Sequence, residues 1–99
     1  MQLVLERIIK MIISAACRAK VNGKWHNFPI HRHSDFFLWM KLLNCDYNKE
    51  EVIQGFLNWD RESATETFVD RVQAFKIAQS CGQIDKNLPV QPLYSEDLY

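Results

Sequence analysis

The sequence predicts an α+β fold, a small antiparallel sheet packed with two helices and followed by an extended C-terminal tail. Three observations carry that reading. Asn22-Gly23 joins two apolar-rich arms and is a strong hairpin signal, because both central positions of a two-residue turn take positive φ. Residues 33 to 44 and 70 to 81 each place apolar side chains at helical spacing. Residues 83 to 99 hold Pro89 and Pro92 and show no helical stripe.

Taken in chain order, residues 3 to 11 suit an amphipathic helix. Gln2, Glu6, Lys10 and Ser14 recur on one side, and Leu5, Ile8, Ile9 and Ile12 on the other. The β-branched density of Ile8, Ile9, Ile12 and Ile13 leaves a strand open as the alternative. Residues 12 to 30 read as a hairpin with arms AACRAKV and KWHNFPI. Pro29 cannot donate to a ladder and is expected to end the second arm. From 33 to 44, Phe36, Phe37, Met40 and Leu43 form a stripe flanked by Trp39, the pattern of a buried face. Residues 44 to 50 are a polar connection.

VIQGFLNW, residues 52 to 59, is the next strand, in which Gly55 marks a bulge or a close approach by a ligand. The charged tip DRESATE leads into a short strand, TFV. Asp70 is a good N-cap for the second helix, which runs to Ser80 or Cys81. Ala74, Phe75, Ile77, Ala78 and Cys81 give it a packed side, and Gly82 closes it. Leu93, Tyr94, Leu98 and Tyr99 would be exposed apolar groups on a loose tail. The tail is therefore expected to dock along its own domain or a neighbouring subunit. The organisation expected is one domain, with 1–11 as an N-terminal extension, 12–82 as core and 83–99 as docking tail.

Composition excludes several classes. Twelve basic and twelve acidic residues cancel, so the total offers no basic face for generic DNA binding. Cys17, Cys45 and Cys81 are odd in number and lack CxxC spacing, which argues for a reducing, cytosolic setting. MIISAAC imitates a lipoprotein cleavage site, but Glu6, Arg7 and Lys10 break the apolar stretch a signal peptide needs. The uncharged run from 11 to 17 is also too short to span a membrane, so the chain reads as soluble. A hydrophobic content of 47% in a domain this small points either to a subunit contact or to a well-filled core.

The chemistry concentrates in HRHSDFF, residues 31 to 37. His26, His31 and His33 invite a metal reading, but His26 has the opposite strand parity and no cysteine is near in sequence. Ser34 and Asp35 adjoin His33, yet sequence neighbours do not form a triad by spacing. No Walker loop, nucleophile elbow or HExxH occurs, so no enzyme activity and no cofactor is expected. Arg32 and His33 at the mouth of a helix favour an anion through backbone N–H groups and a bidentate donor. Asp70-Arg71 repeats that arrangement at the second helix. With Phe56 and Tyr94 as stacking surfaces, these residues suggest a phosphate-and-base pocket.

The ordered set Arg32-His33-x-Asp35, Gln54-Gly55-Phe56, Phe68-Val69-Asp70-Arg71, Ala74, Ala78, Gly82-Gln83 and Leu93-Tyr94-Ser95-Glu96-Asp97-Leu98 resembles the first family of phage Thoeris anti-defence proteins. The resemblance covers about residues 12 to 99. It implies a homo-oligomeric sponge, from dimer to hexamer, in the cytoplasm of an infected bacterium. Such a sponge binds a cyclic ADP-ribose signal, and in some members cyclic oligonucleotides, and withholds it from the defence effector. Carried over by position, Arg32 would hold a phosphate and Phe56 would stack on the adenine, while His33 and Arg71 remain candidates from the helix-start reading. Asp70 would bond ribose hydroxyls or base edges, and Tyr94 would close the pocket with Asp97 nearby. The basic residue such proteins carry after Gly-Gln falls to Lys86. Ser34 stands where a second histidine is usual, Val72-Gln73 replaces Lys-Glu, and RESATE lengthens a loop. Two other classes stay open, a small protein that blocks a host protein and a histidine-dependent metal hydrolase.

Overall fold

The computed structural model describes residues 9–98. The elements are β1 (Lys10–Val21), β2 (Lys24–Ile30), α1 (His33–Leu43), β3 (Ile53–Asp60), β4 (Thr65–Asp70) and α2 (Arg71–Ser80). Single 3-10 turns lie at Lys49–Glu51 and Ser95–Asp97. The strands form one antiparallel sheet in the order β2-β1-β3-β4, and the fold is α+β. The helix or strand considered for residues 3–11 falls mostly outside the described residues. Lys10 and Met11 already pair with Asp60 and Trp59, so the sheet reaches into the expected extension.

The β1–β2 turn is the one its residues require. Asn22 and Gly23 have φ of 53° and 85°, and Val21 pairs with Lys24 across them. Pro29 does not end the arm, because β2 continues to Ile30. From the closing Val21–Lys24 pair, alternation makes Ala16–Pro29 a non-hydrogen-bonded pair. The missing N–H of Pro29 therefore faces the open edge, where it costs no ladder bond.

Small side chains on β1 let both helices approach one face of the sheet. Cys17, Ala19 and Val21 pack with Phe36 and Met40 of α1. Ile12 and Ala15 pack with Phe56, with Ala74, Phe75 and Ala78 of α2, and with Leu93 of the tail. Burial of Cys17 pushes its thiol up to about 12, so it stays protonated and inert. No described helix covers the other face of the sheet, where Met11, Trp25, Ile53 and Trp59 are exposed. No described helix is long and apolar enough to cross a membrane.

Leu43 was expected in the buried stripe of α1 but lies exposed. Asn44 ends the helix in the left-handed region, and Tyr47 then fills the space below, bridging Val21 and meeting the Phe36 ring at 5.7 Å. Gly55 is likewise not a bulge. A Cβ there would meet the Val69 carbonyl oxygen and stand 2.5 Å from Phe68 Cζ, so the close approach comes from β4. The bulge sits on β1, between Ile12 and Ser14.

α2 follows its local signals. The Asp70 carboxylate accepts the Gln73 N–H at 2.8 Å, and Gly82 at φ 83° turns the chain out of the helix. The turn delivers the Gln83 carboxamide to β1. Its Oε1 accepts the Ile12 N–H at 2.8 Å and its Nε2 donates to the Ile12 carbonyl at 2.7 Å. Beyond it, Gln79 Nε2 donates to the Leu88 carbonyl at 2.8 Å, and the tail runs on to bury Leu93 against α2.

Candidate functional site

A cleft of 430 Å³ opens where the starts of both helices meet the tail. Arg32, His33, Ser34 and Phe37 enter it from α1, Gln54 from β3, Arg71 from α2, and Tyr94, Ser95 and Glu96 from the tail. Four of the eight sequence-expected ligand residues, Arg32, His33, Arg71 and Tyr94, thus converge from three parts of the chain.

The two helix starts are not equivalent. At α2 the Asp70 carboxylate already serves a first-turn N–H, which makes that end a poor host for a second anion. At α1 the N-cap residue is Arg32, extended at φ −128° and ψ 142°, and its side chain makes no capping bond. The positive end of α1, with guanidinium groups close by, is the better place for a phosphate.

His33 is held by a hydrogen bond to β3. Its Nε2 lies 2.8 Å from the Gly55 carbonyl oxygen, and because a carbonyl only accepts, Nε2 carries the proton. Burial holds the pKa of His33 below the ordinary histidine value. The Gly55 bond opposes that shift, the Arg71 charge adds to it, and the Glu96 charge opposes it. His33 is therefore a neutral ring whose remaining nitrogen, Nδ1, is an acceptor.

Phe56 is a correction. It is 0% exposed, lies in the core under α2, and meets His33 edge-on with ring centroids 5.2 Å apart. Its parity on β3 turns it toward the helices, so it supports His33 from beneath and offers no open face to a base. The exposed aromatic is Tyr94, whose ring takes the Arg71 guanidinium at 4.4 Å. Arg71 Nε donates to the Leu93 carbonyl at 3.0 Å, and the Leu93 N–H donates to the Arg71 carbonyl at 2.9 Å. Arginine and tail thus hold each other in place.

Asp70, Lys86 and Asp97 do not line the cleft. Asp70 caps α2, Asp97 accepts the Tyr94 N–H at 2.9 Å within the tail turn, and Lys86 lies exposed in the loop after α2. Ser34, Phe37, Gln54, Ser95 and Glu96 were missed as lining residues. Gln54, Ser95 and Glu96 stand in the ordered set of the resemblance without a role there, and Gln54 also shares the strand face of Phe56, two positions on. His26 and His31 are exposed while His33 is buried, and no described cluster of His, Cys, Asp or Glu could hold a metal ion.

On its other side, α1 meets β2 in an apolar groove of 540 Å³, lined mainly by Phe28, Pro29, Ile30, Phe36, Trp39 and Leu43. Next to it, Leu38 and Leu42 are 56% and 71% exposed. This groove is the larger hollow, yet the charged groups gather in the other one.

Fold and cleft define a small α+β protein with a charged recess at the joint of two helices and a tail. The model of the phage T4 y16D protein family matches residues 11–99, and the chain belongs to that family of small phage proteins. No curated protein and no solved structure matches the chain.

Proposed function

We propose that the chain is a phage sponge that binds a cyclic ADP-ribose-type signal, and related cyclic oligonucleotides, without chemical change. It would thereby blunt a bacterial defence in the cytoplasm of the infected cell. The observation that carries this reading is the convergence of Arg32, Arg71 and Tyr94 around neutral His33 in one cleft. Guanidinium groups suit phosphates, and a tyrosine face suits a base. Membership of a phage family and the resemblance to Thoeris anti-defence proteins support the same reading. The exposed Trp39, Leu42 and Leu43 favour a further contact with a protein surface, which we assign to self-assembly.

Native mass spectrometry of protein purified from cells making the signal tests this directly. The expected result is a bound nucleotide released intact on denaturation. Arg32→Ala should then keep its melting temperature while losing about 1.5–3 kcal/mol of binding by calorimetry. A chemically altered product, or unchanged affinity in folded Arg32→Ala, would sink the proposal.

A further inference from the structure

We infer that Glu96 sets the specificity of this cleft, selecting ring-closed phosphodiester or pyrophosphate ligands against nucleotides that end in a phosphate. The inference rests on the nucleotide-binding proposal and narrows it.

Glu96 is the one carboxylate among the described lining residues, in a cleft that Arg32 and Arg71 also line. Its position is held on both sides. Before it, the Leu93 N–H donates to the Arg71 carbonyl at 2.9 Å and Ser95 is buried. After it, the Asp97 N–H returns to the Tyr94 carbonyl at 2.9 Å, and the Tyr94 N–H donates to the Asp97 carboxylate at 2.9 Å. The turn is closed by its own backbone, so the Glu96 backbone has little freedom to swing away. Its charge is felt at the His33 ring across the cleft.

The chemical consequence follows from charge. A phosphate inside a ring carries one negative charge, whereas a terminal phosphate carries roughly 1.5 to 2 near neutral pH. A ring-closed pyrophosphate thus carries two charges, which the two guanidinium groups meet, while ADP carries roughly 2.5 to 3, and the Glu96 carboxylate repels that surplus. The carboxylate also accepts hydrogen bonds, as neutral His33 Nδ1 does, so it suits the ribose hydroxyls or amino groups beside a ring-closed phosphate. Attraction for those donors and repulsion of extra charge together make a discriminator. A cleft built only to attract anions would contain no acid.

The test is calorimetry on the full chain and on Glu96→Gln, using a panel of cyclic ADP-ribose isomers and, as the terminal-phosphate probe, ADP. Glutamine keeps the size and removes the charge. The mutant is expected to bind ADP about five-fold tighter and its best cyclic isomer about three-fold weaker. Glu96→Asp, which keeps the charge, should retain the preference. Equal changes for both probes, or none, would overturn the role of Glu96 while leaving the cleft as a nucleotide site. Failure of every cyclic isomer to bind the wild-type chain would overturn both readings.

Discussion

The two sides of α1 differ in kind. The apolar groove toward β2 is the larger hollow, 540 Å³ against 430 Å³, but it is built by two elements adjacent in the chain. The polar cleft is smaller and draws on α1, β3, α2 and the tail. A gap between a strand and the helix that follows it arises wherever a helix fails to cover the sheet edge. Arg32 and Arg71 reach the polar cleft from positions far apart in the chain, and Arg71 is held there by the Leu93 carbonyl and the Tyr94 ring. We place the small ligand in the smaller cleft, because the phosphate-binding groups converge there from distant parts of the chain. The larger greasy recess suits a macromolecular surface.

The strongest way to break the comparison is to remove what both sides share. Phe56→Ala empties a fully buried position beneath His33 and α2 and is expected to cost about 3–5 kcal/mol in urea unfolding. Binding should fall with the fold. A stable Phe56→Ala protein that has lost only its ligand would restore the stacking role and reverse our correction. A second change sharpens the contrast. Leu42→Glu alters only the greasy side and should weaken self-association by about 2 kcal/mol. Light scattering should then move from an oligomer toward 11.7 kDa, with ligand affinity held. If affinity falls too, a neighbouring subunit completes the cleft.

The smallest effect is titration of His33. Its folded pKa lies below the ordinary value, so the unfolded chain takes up the proton first. Stability is full above about pH 6.5 and declines as pH falls below it toward the folded pKa. His33→Gln should flatten that acid limb in melting curves. An unchanged limb would place the sensitivity elsewhere.

The parts of the fold readable in advance were those with local causes. Asn22-Gly23 must turn, Asp70 must cap, and Gly82 must release the chain, whatever lies around them. Phe56 was misread because a strand residue has two possible faces, and only the packing of α2 decides which is covered. Lys86 and Asp97 lie outside the cleft of their own chain, and their sequence neighbours do not reveal which way the tail runs. Leu93 was expected to dock, and the structure makes it core, 0% exposed. Arg32 and Arg71 were each individually ambiguous; no spacing rule brings positions 39 residues apart into one cleft. Their likeness as two helix starts, with aromatic residues to share, was the only signal that joined them.

The Gln83 carboxamide that receives both backbone groups of Ile12 links positions 71 apart in sequence. Its consequence concerns timing. On the ribosome, β1 emerges early, but the group that satisfies its Ile12 backbone is made near the end, and Leu93 later still. At roughly 5–20 residues per second, the first strand waits several seconds for the residues that seal it. So high a contact order also makes for slow closure. Synthesis halted before the tail leaves β1 paired with β2 and β3 but its Ile12 backbone groups without the Gln83 carboxamide and the core without Leu93, so a partial chain is a candidate for proteolysis.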